Sequence, residues 1–288
     1  MFISEAYDLY CDSEIINLNK SLKTLETYIN CKKQIINYFG NIEIQLLTKT
    51  LCLKYFDYLR SYQKPDSVRL HICALRQVLR FLSLNYSKIV TLNPDLLKVP
   101  TRQKRIIKYL TREEFDRFLH LVSQGQKGYS NQLRLRNTAI IKLLFFSGIR
   151  VSELCSLNRN SIIDRKFTMI GKSKNPRLCF INRSTEQSIF DYLNSRSDPN
   201  PALFLSNYKN RITPNNIRDL FSRICSNYDL EVITPHTLRH SCATYLLEKE
   251  VELCYIADIL GHQSLTTTKM YLHYNNKKLQ HIYEKSMI

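Results

Sequence analysis

The sequence predicts a mainly α-helical protein with one small β-sheet, divided into two domains. Three observations predict this. Apolar residues recur at spacings of three and four through most of the 288 residues, the signature of helices with one buried face. The rhythm switches to short β-like runs only between residues 166 and 181, and it lapses between Asn93 and Ile107. The length is about two domains at roughly 150 residues each. A composition of 44% hydrophobic and 23% charged residues is that of a globular chain able to bury a core in each domain, which excludes disordered and low-complexity classes.

Taken in order, residues 21–39 place Leu22, Leu25, Tyr28, Ile29, Ile35, Ile36 and Phe39 on one helical face, with Gly40 as the stop. Thr48 or Thr50 caps a second helix carrying Leu51, Tyr55, Phe56 and Leu59. Pro65-Asp66-Ser67 opens a third through Leu75, Leu79 and Leu82. Residues 1–94 therefore read as a helical domain. From 95 to 107 Lys98, Arg102, Lys104 and Arg105 accumulate without apolar rhythm, predicting an exposed basic linker. The second domain, 108–274, opens on Thr111-Arg112-Glu113-Glu114, a capping box. Leu133 to Phe146 reads as a largely buried helix ending at Gly148. Residues 166–170 and 177–181 pair as a hairpin. Thr213-Pro214 and Thr234-Pro235 each place an N-cap before a proline, launching helices to about Tyr228 and Leu247. A tail, 275–288, follows, with Leu279, Ile282 and Tyr283 as the apolar stripe of a short helix.

Lys and Arg total 42 against 25 Asp and Glu, a net charge of +17. The excess is shared: 16 basic and 9 acidic residues precede Ile107, and 26 and 16 follow from it onward. Both domains are thus suited to one polyanion. Nine cysteines, an odd number without a Cys-x-x-Cys pair, read as reduced core thiols, and a zinc site spread over separate helices is disfavoured. No apolar run reaches membrane-spanning length. Glu5, Asp8, Asp12 and Glu14 stand where a signal peptide needs a basic start, so the expected location is the cytoplasm.

Three of only six glycines sit beside basic or imidazole residues: Gly148-Ile149-Arg150, Gly171-Lys172 and Gly261-His262. Gly148 ends a helix and lets Arg150 project, with Glu153 three residues on to orient its guanidinium. A capped helix start sets His236, Arg239 and His240 at relative spacings of three and four. A His-x-x-x-His zinc site is disfavoured there, because Thr237 replaces a general-base glutamate and Arg239 repels a cation. A helix start with arginine and imidazole instead suits a phosphate.

The set GIRVSEL (148–154), GKSKNPR (171–177), HTLRH (236–240) and LGHQSLTTTKMY (260–271), in this order, resembles the tyrosine recombinase (phage integrase) family, most closely its compact Xer-type members. The resemblance covers about residues 108–275 with all four motifs, while the helical first hundred residues are similar to the family's core-binding domain only in length and pattern. The resemblance implies a SAM-like core-binding domain and a mixed α/β catalytic domain closing as a C-shaped clamp on DNA. It makes Arg150 and Arg239 the paired arginines on the scissile phosphate and Lys172 the hairpin lysine, with Lys174 a second candidate. His236 and His262 become the imidazole positions, Tyr271 the nucleophile and Glu153 the acidic support. Cys242 departs from the bulkier apolar residue of many relatives. His240 and His273 are left as structural caps.

Such residue types fit phosphodiester cleavage. Two permanently ionised guanidiniums stabilise the charge gathering on the nonbridging oxygens. A tyrosine that titrates near about 10 needs a local positive field or a base, and the departing 5′ oxygen needs a proton donor. The resemblance further implies a 3′-phosphotyrosine intermediate, no metal or other cofactor, and a homotetramer on two synapsed specific sites in duplex DNA. It implies integration, excision, inversion or resolution in a bacterium or its mobile elements, in the cytoplasm at the nucleoid, with an accessory DNA-bending or partner recombinase protein a further possible participant. Two rivals share features of the pattern: a type IB topoisomerase, which relaxes supercoils without paired sites, and a DNA-binding regulator with a fossil site, against which the intact motif set argues.

Overall fold

A computed structural model describes residues 1–269 except 19, 87, 88, 102–106, 126–128, 171–175 and 263, together with Tyr271. The chain divides into two compact units, Met1–Arg105 and Ile106–Ile288.

The first unit is helical: α1 (Ile3–Tyr10), running on into a π-helical turn, then α2 (Leu22–Phe39), α3 (Lys49–Arg60) and α4 (Pro65–Asn85). Local chemistry sets the starts. The Ser21 hydroxyl accepts from Thr24 N and the Thr48 hydroxyl from Leu51 N, which makes Thr48 the cap of α3. Tyr7, Tyr55, Phe56, Leu75, Leu79 and Leu82 meet in one core. Leu97 and Val99 depart from the expected exposed linker. Asn93 caps a 3-10 turn at Pro94–Leu96, after which Leu97 is buried in that core and Val99 packs against it, an inward turn that no periodicity announces. Lys98 is exposed. Arg102, Lys104 and Arg105 lie outside the described residues.

The second unit carries α5 (Arg112–Gln124), α6 (Asn131–Ser147), α7 (Val151–Ser156), β1 (Lys166–Ile170), β2 (Pro176–Phe180), α8 (Arg183–Asn194), α9 (Pro214–Asn227), α10 (Pro235–Glu248), α11 (Leu253–Leu260) and α12 (Leu265–Lys269). The Thr111 capping box is formed, Thr111 N donating to Glu114 Oε2 at 2.8 Å. The strands are antiparallel, with Lys166 opposite Phe180 and Ile170 opposite Pro176, and Phe167, Met169 and Cys179 face the core. The central helix α6 packs against α5, α8 and α10, which explains a sequence apolar on nearly every side. Its buried Arg136 donates to Leu205 O at 2.8 Å and to Asn137 Oδ1, tying α6 to the chain after α8. Of the nine cysteines, all free, only Cys73 and Cys254 reach solvent appreciably.

Both α6 and α11 end on a left-handed glycine, Gly148 at φ +61° and Gly261 at φ +65°. At Gly148 a Cβ would stand 2.7 Å from Leu260 Cδ2 and 3.1 Å from Cys242 Sγ. Backbone strain and overpacking act together there, so Gly148→Ala is expected to destabilise the second unit by about 2–4 kcal/mol, read as a fall in its unfolding midpoint in urea; an unchanged midpoint contradicts this account.

Candidate active site

The two glycine-capped helix ends organise the site. The last carbonyls of a helix lack intrahelical partners and carry partial negative charge, and here guanidiniums bind them. Arg239, on α10 and 5% exposed, donates from Nη1 to Gly148 O at 2.5 Å and from Nη2 to Leu260 O at 2.6 Å. Arg150 donates from Nη2 to Gly261 O at 2.9 Å. These three bonds bring the 148–153, 236–240 and 260–271 segments together. Gly261 is also needed for space, since a Cβ there would meet the Arg177 side chain at 2.7 Å.

One carboxylate serves this cluster. Glu153, buried at the first turn of α7, accepts from Arg150 N at 2.7 Å, from Arg150 Nη1 at 2.9 Å, and from Arg177 Nη1 and Nη2 at 2.9 and 2.6 Å. Arg177 reaches it from β2 as a two-pronged fork and also donates to Ile259 O. Three guanidiniums against one carboxylate leave the cluster with a surplus of two positive charges, held largely by neutral carbonyls. Burial by itself would raise the Glu153 carboxyl, but the hydrogen bonds from Arg177 and Arg150 outweigh it and hold it below the usual range. Burial and the neighbouring Arg150 bring Arg239 down to about 10, still ionised at neutral pH.

The imidazoles feel the same field. His236 stands at the open edge of the site. Desolvation of its ring, with the charges of Arg239, Arg218 and Arg150, lowers its pKa. Burial, then Arg239 and Arg150, takes His262 to about 4. Both are neutral at pH 7 and able to accept a proton. His262 Nδ1 is hydrogen-bonded to the fully buried Thr268 hydroxyl at 2.8 Å, which sets the ring's orientation. Tyr271 is 1% exposed and packs between α10 and α11. Burial raises its phenol to about 12 although Arg239 pulls it down.

Of the expected residues, Arg150, Glu153 and Arg239 are joined by these contacts, and Arg239 acts electrostatically on His236, His262 and Tyr271. Lys172 and Lys174 lie outside the described residues, as does His273. His240, expected as a structural cap, lies inside α10 and is bonded to the Tyr271 hydroxyl, Nδ1 to oxygen 2.8 Å. Arg177 and Thr268 were missed. Arg177 closes the GKSKNPR motif, a legible signal; Thr268, one of three consecutive threonines, gives none. Among the described residues no group of three His, Cys, Asp or Glu is placed to hold a metal ion.

Residues 108–278 match the model of the phage integrase family. Tyrosine recombinase XerA of Thermococcus kodakarensis is 30% identical over 293 residues, covering 99% of this chain and 95% of the relative. Tyrosine recombinase XerD of Halalkalibacterium halodurans is 28% identical over 278 residues, 91% of each. Among solved structures, the Tn1549 transposon integrase with circular intermediate DNA superposes with a TM-score of 0.77 at 18% identity, covering 94% of this chain and 95% of that one. The XerH site-specific recombinase on a palindromic difH substrate, post-cleavage, gives 0.73 at 20% identity over 92% and 80%.

Removing the shared carboxylate leaves Arg150 and Arg177 without a counter-charge. With Arg150 partly solvated, Glu153→Gln is expected to cost about 2–3 kcal/mol at pH 7. Because the folded-state pKa is depressed, the wild-type contribution is complete above the unfolded carboxyl's value near about 4.3 and fades as pH falls through the lower folded value. Denaturant titrations from pH 6 to pH 3 should therefore show a steeper acid loss in wild type than in Glu153→Gln; parallel curves contradict the assignment.

Proposed function

This chain belongs to the phage integrase family, and from that premise we propose how its own residues cut and rejoin DNA. It is a tyrosine-type site-specific recombinase. The observation that carries the residue assignment is the convergence of Arg150 and Arg239 on the glycine-capped helix ends, beside His262 and with two uncompensated positive charges.

In the proposed reaction Arg150 and Arg239 donate to the nonbridging oxygens of the scissile phosphate, using N–H groups beyond those bound to carbonyls. Their charge matches that of the pentacoordinate state, and no metal ion is invoked. The Tyr271 oxygen attacks phosphorus as its proton passes to a neutral imidazole, His236 or His262. A bound anionic phosphate offsets the arginine field and raises the proton affinity of both rings. The bond from phosphorus to the 5′ oxygen breaks, and that oxygen takes a proton from Lys172, with Lys174 the alternative donor. The products are a 3′-phosphotyrosine and a free 5′ hydroxyl. Attack by a 5′ hydroxyl reverses every transfer and rejoins the strand, so bond energy is conserved without a nucleotide cofactor. Glu153 supports by fixing Arg150.

At the level of assembly, four copies act on two sites and exchange one pair of strands at a time. Both units contact the same duplex, and Lys98, Arg102, Lys104 and Arg105 track its backbone. The 275–288 tail, with its Leu279, Ile282 and Tyr283 stripe, lies outside the described residues. The setting is the cytoplasm of a bacterium, on a mobile element or chromosomal site, with accessory proteins as needed. The DNA-bound Tn1549 integrase and XerH structures support the contact with duplex DNA.

Incubation with fragmented duplex DNA, denaturation and capture of protein-linked strands for sequencing should yield one enriched site with wild type and no covalent adduct with Tyr271→Phe. Adduct persisting in that variant refutes the nucleophile. On the recovered site, Arg150→Ala and Arg239→Ala should each slow cleavage by roughly 100- to 1000-fold, and either variant cleaving at the wild-type rate removes that arginine from the clamp. Cleavage in excess EDTA should equal that in Mg2+; dependence on a restored divalent ion overturns the arginine-only account.

A further inference from the structure

Tyr271 makes two specific contacts that bear on how it reaches a phosphate. Its backbone N–H donates to Thr268 O at 3.1 Å, and its hydroxyl is bonded to His240 Nδ1 at 2.8 Å with the rings 5.7 Å apart and tilted by 55°. The ring is enclosed by Ala243 and Leu247 of α10 and Ile256 and Leu260 of α11. With 1% of the residue exposed, nothing the size of a phosphodiester, flanked by two sugars, can touch that oxygen. The neighbouring Arg239 is committed to Gly148 O and Leu260 O, so successive residues of α10 serve different tasks, one gripping the helix ends and the next gripping the phenol. In-line displacement requires the phenol oxygen at phosphorus. The His240 bond and the apolar enclosure must therefore be left before the strand is cut.

We propose that His240 is the positioning residue of the nucleophile, holding the Tyr271 hydroxyl in a sheltered resting pose that is exchanged for the phosphate when the site fills. This rests on the reading of Tyr271 as the nucleophile. The chemical advantage is restraint: a phenol kept inside cannot cut DNA that is merely bound, and the contact that restrains it is a single hydrogen bond, weak enough to be given up on assembly.

The test places 3-fluorotyrosine at position 271 alone in the full-length protein and follows its 19F resonance, alongside single-turnover adduct formation on the site recovered by adduct sequencing. His240→Phe keeps a ring and removes the bond; His240→Gln restores an acceptor. In DNA-free His240→Phe the resonance should move toward that of a solvent-exposed phenol and adduct formation should accelerate by roughly two- to tenfold, the worth of one hydrogen bond. His240→Gln should return both toward wild type. An unmoved resonance, or slower cleavage in His240→Phe that His240→Gln recovers, overturns the proposal, the latter by assigning the bond to the reacting state. Should His240→Phe fail to fold, wild type decides alone: its resonance should shift on binding uncleaved DNA, and adduct forming without any shift refutes the resting pose. Adduct formation by Tyr271→Phe would instead defeat the nucleophile reading itself, a distinguishable failure.

Discussion

Charge imbalance held by backbone is the constraint on which the second unit depends. Arg150 and Arg177 share one carboxylate, Glu153, while Arg239 bonds to none, and the remaining positive charge rests on Gly148 O, Leu260 O and Gly261 O. Helix-end carbonyls are suited to this because they are already without partners and already at the negative end of a dipole. Carboxylates in their place would neutralise the guanidiniums and leave little for a phosphate. Carbonyls orient the cations without cancelling them.

The same contacts bind fold and chemistry together. Gly148 turns the chain in the left-handed region, ends α6, exposes its own carbonyl to Arg239 and makes room for Leu260 and Cys242. Gly261 repeats the device at the end of α11, presenting its carbonyl to Arg150 and leaving room for Arg177. Cys242, a small thiol, fits this closeness. Arg150 and Arg239 are therefore placed by the packing of α6, α10 and α11 rather than by loose loops.

Protonation states follow from that positive frame. Burial and nearby guanidiniums keep His262 neutral, burial and then His236 and Arg239 do so for His240, and burial keeps Tyr271 protonated against the pull of Arg239. The resting site thus holds its proton carriers uncharged within a cationic cage. An anion bound there would offset the guanidinium field and raise the proton affinity of both imidazoles.

Much of the helical plan was legible along the chain. Thr48, Thr111, Thr213 and Thr234 announce their helices by capping chemistry, and the hairpin announces itself by its change of period, because caps and periodicities are local properties of a few adjacent residues. Motif order likewise pointed to Arg150, Glu153, Arg239, His262 and Tyr271. Leu97 was hidden, since Leu96, Leu97 and Val99 within five residues set no period. His240 passed for a cap and Arg177 for a hairpin residue. What each touches is decided by pairings that no spacing encodes: Arg239 with Gly148 across 91 residues, Arg150 with Gly261 across 111, His240 with Tyr271 across 31. The sequence by itself determined which residue types stand ready for a phosphate. Only the tertiary structure decided that backbone carbonyls hold Arg150 and Arg239 and that the Tyr271 ring is enclosed, because those contacts form when separate helix ends pack and their partial charges come within hydrogen-bonding distance.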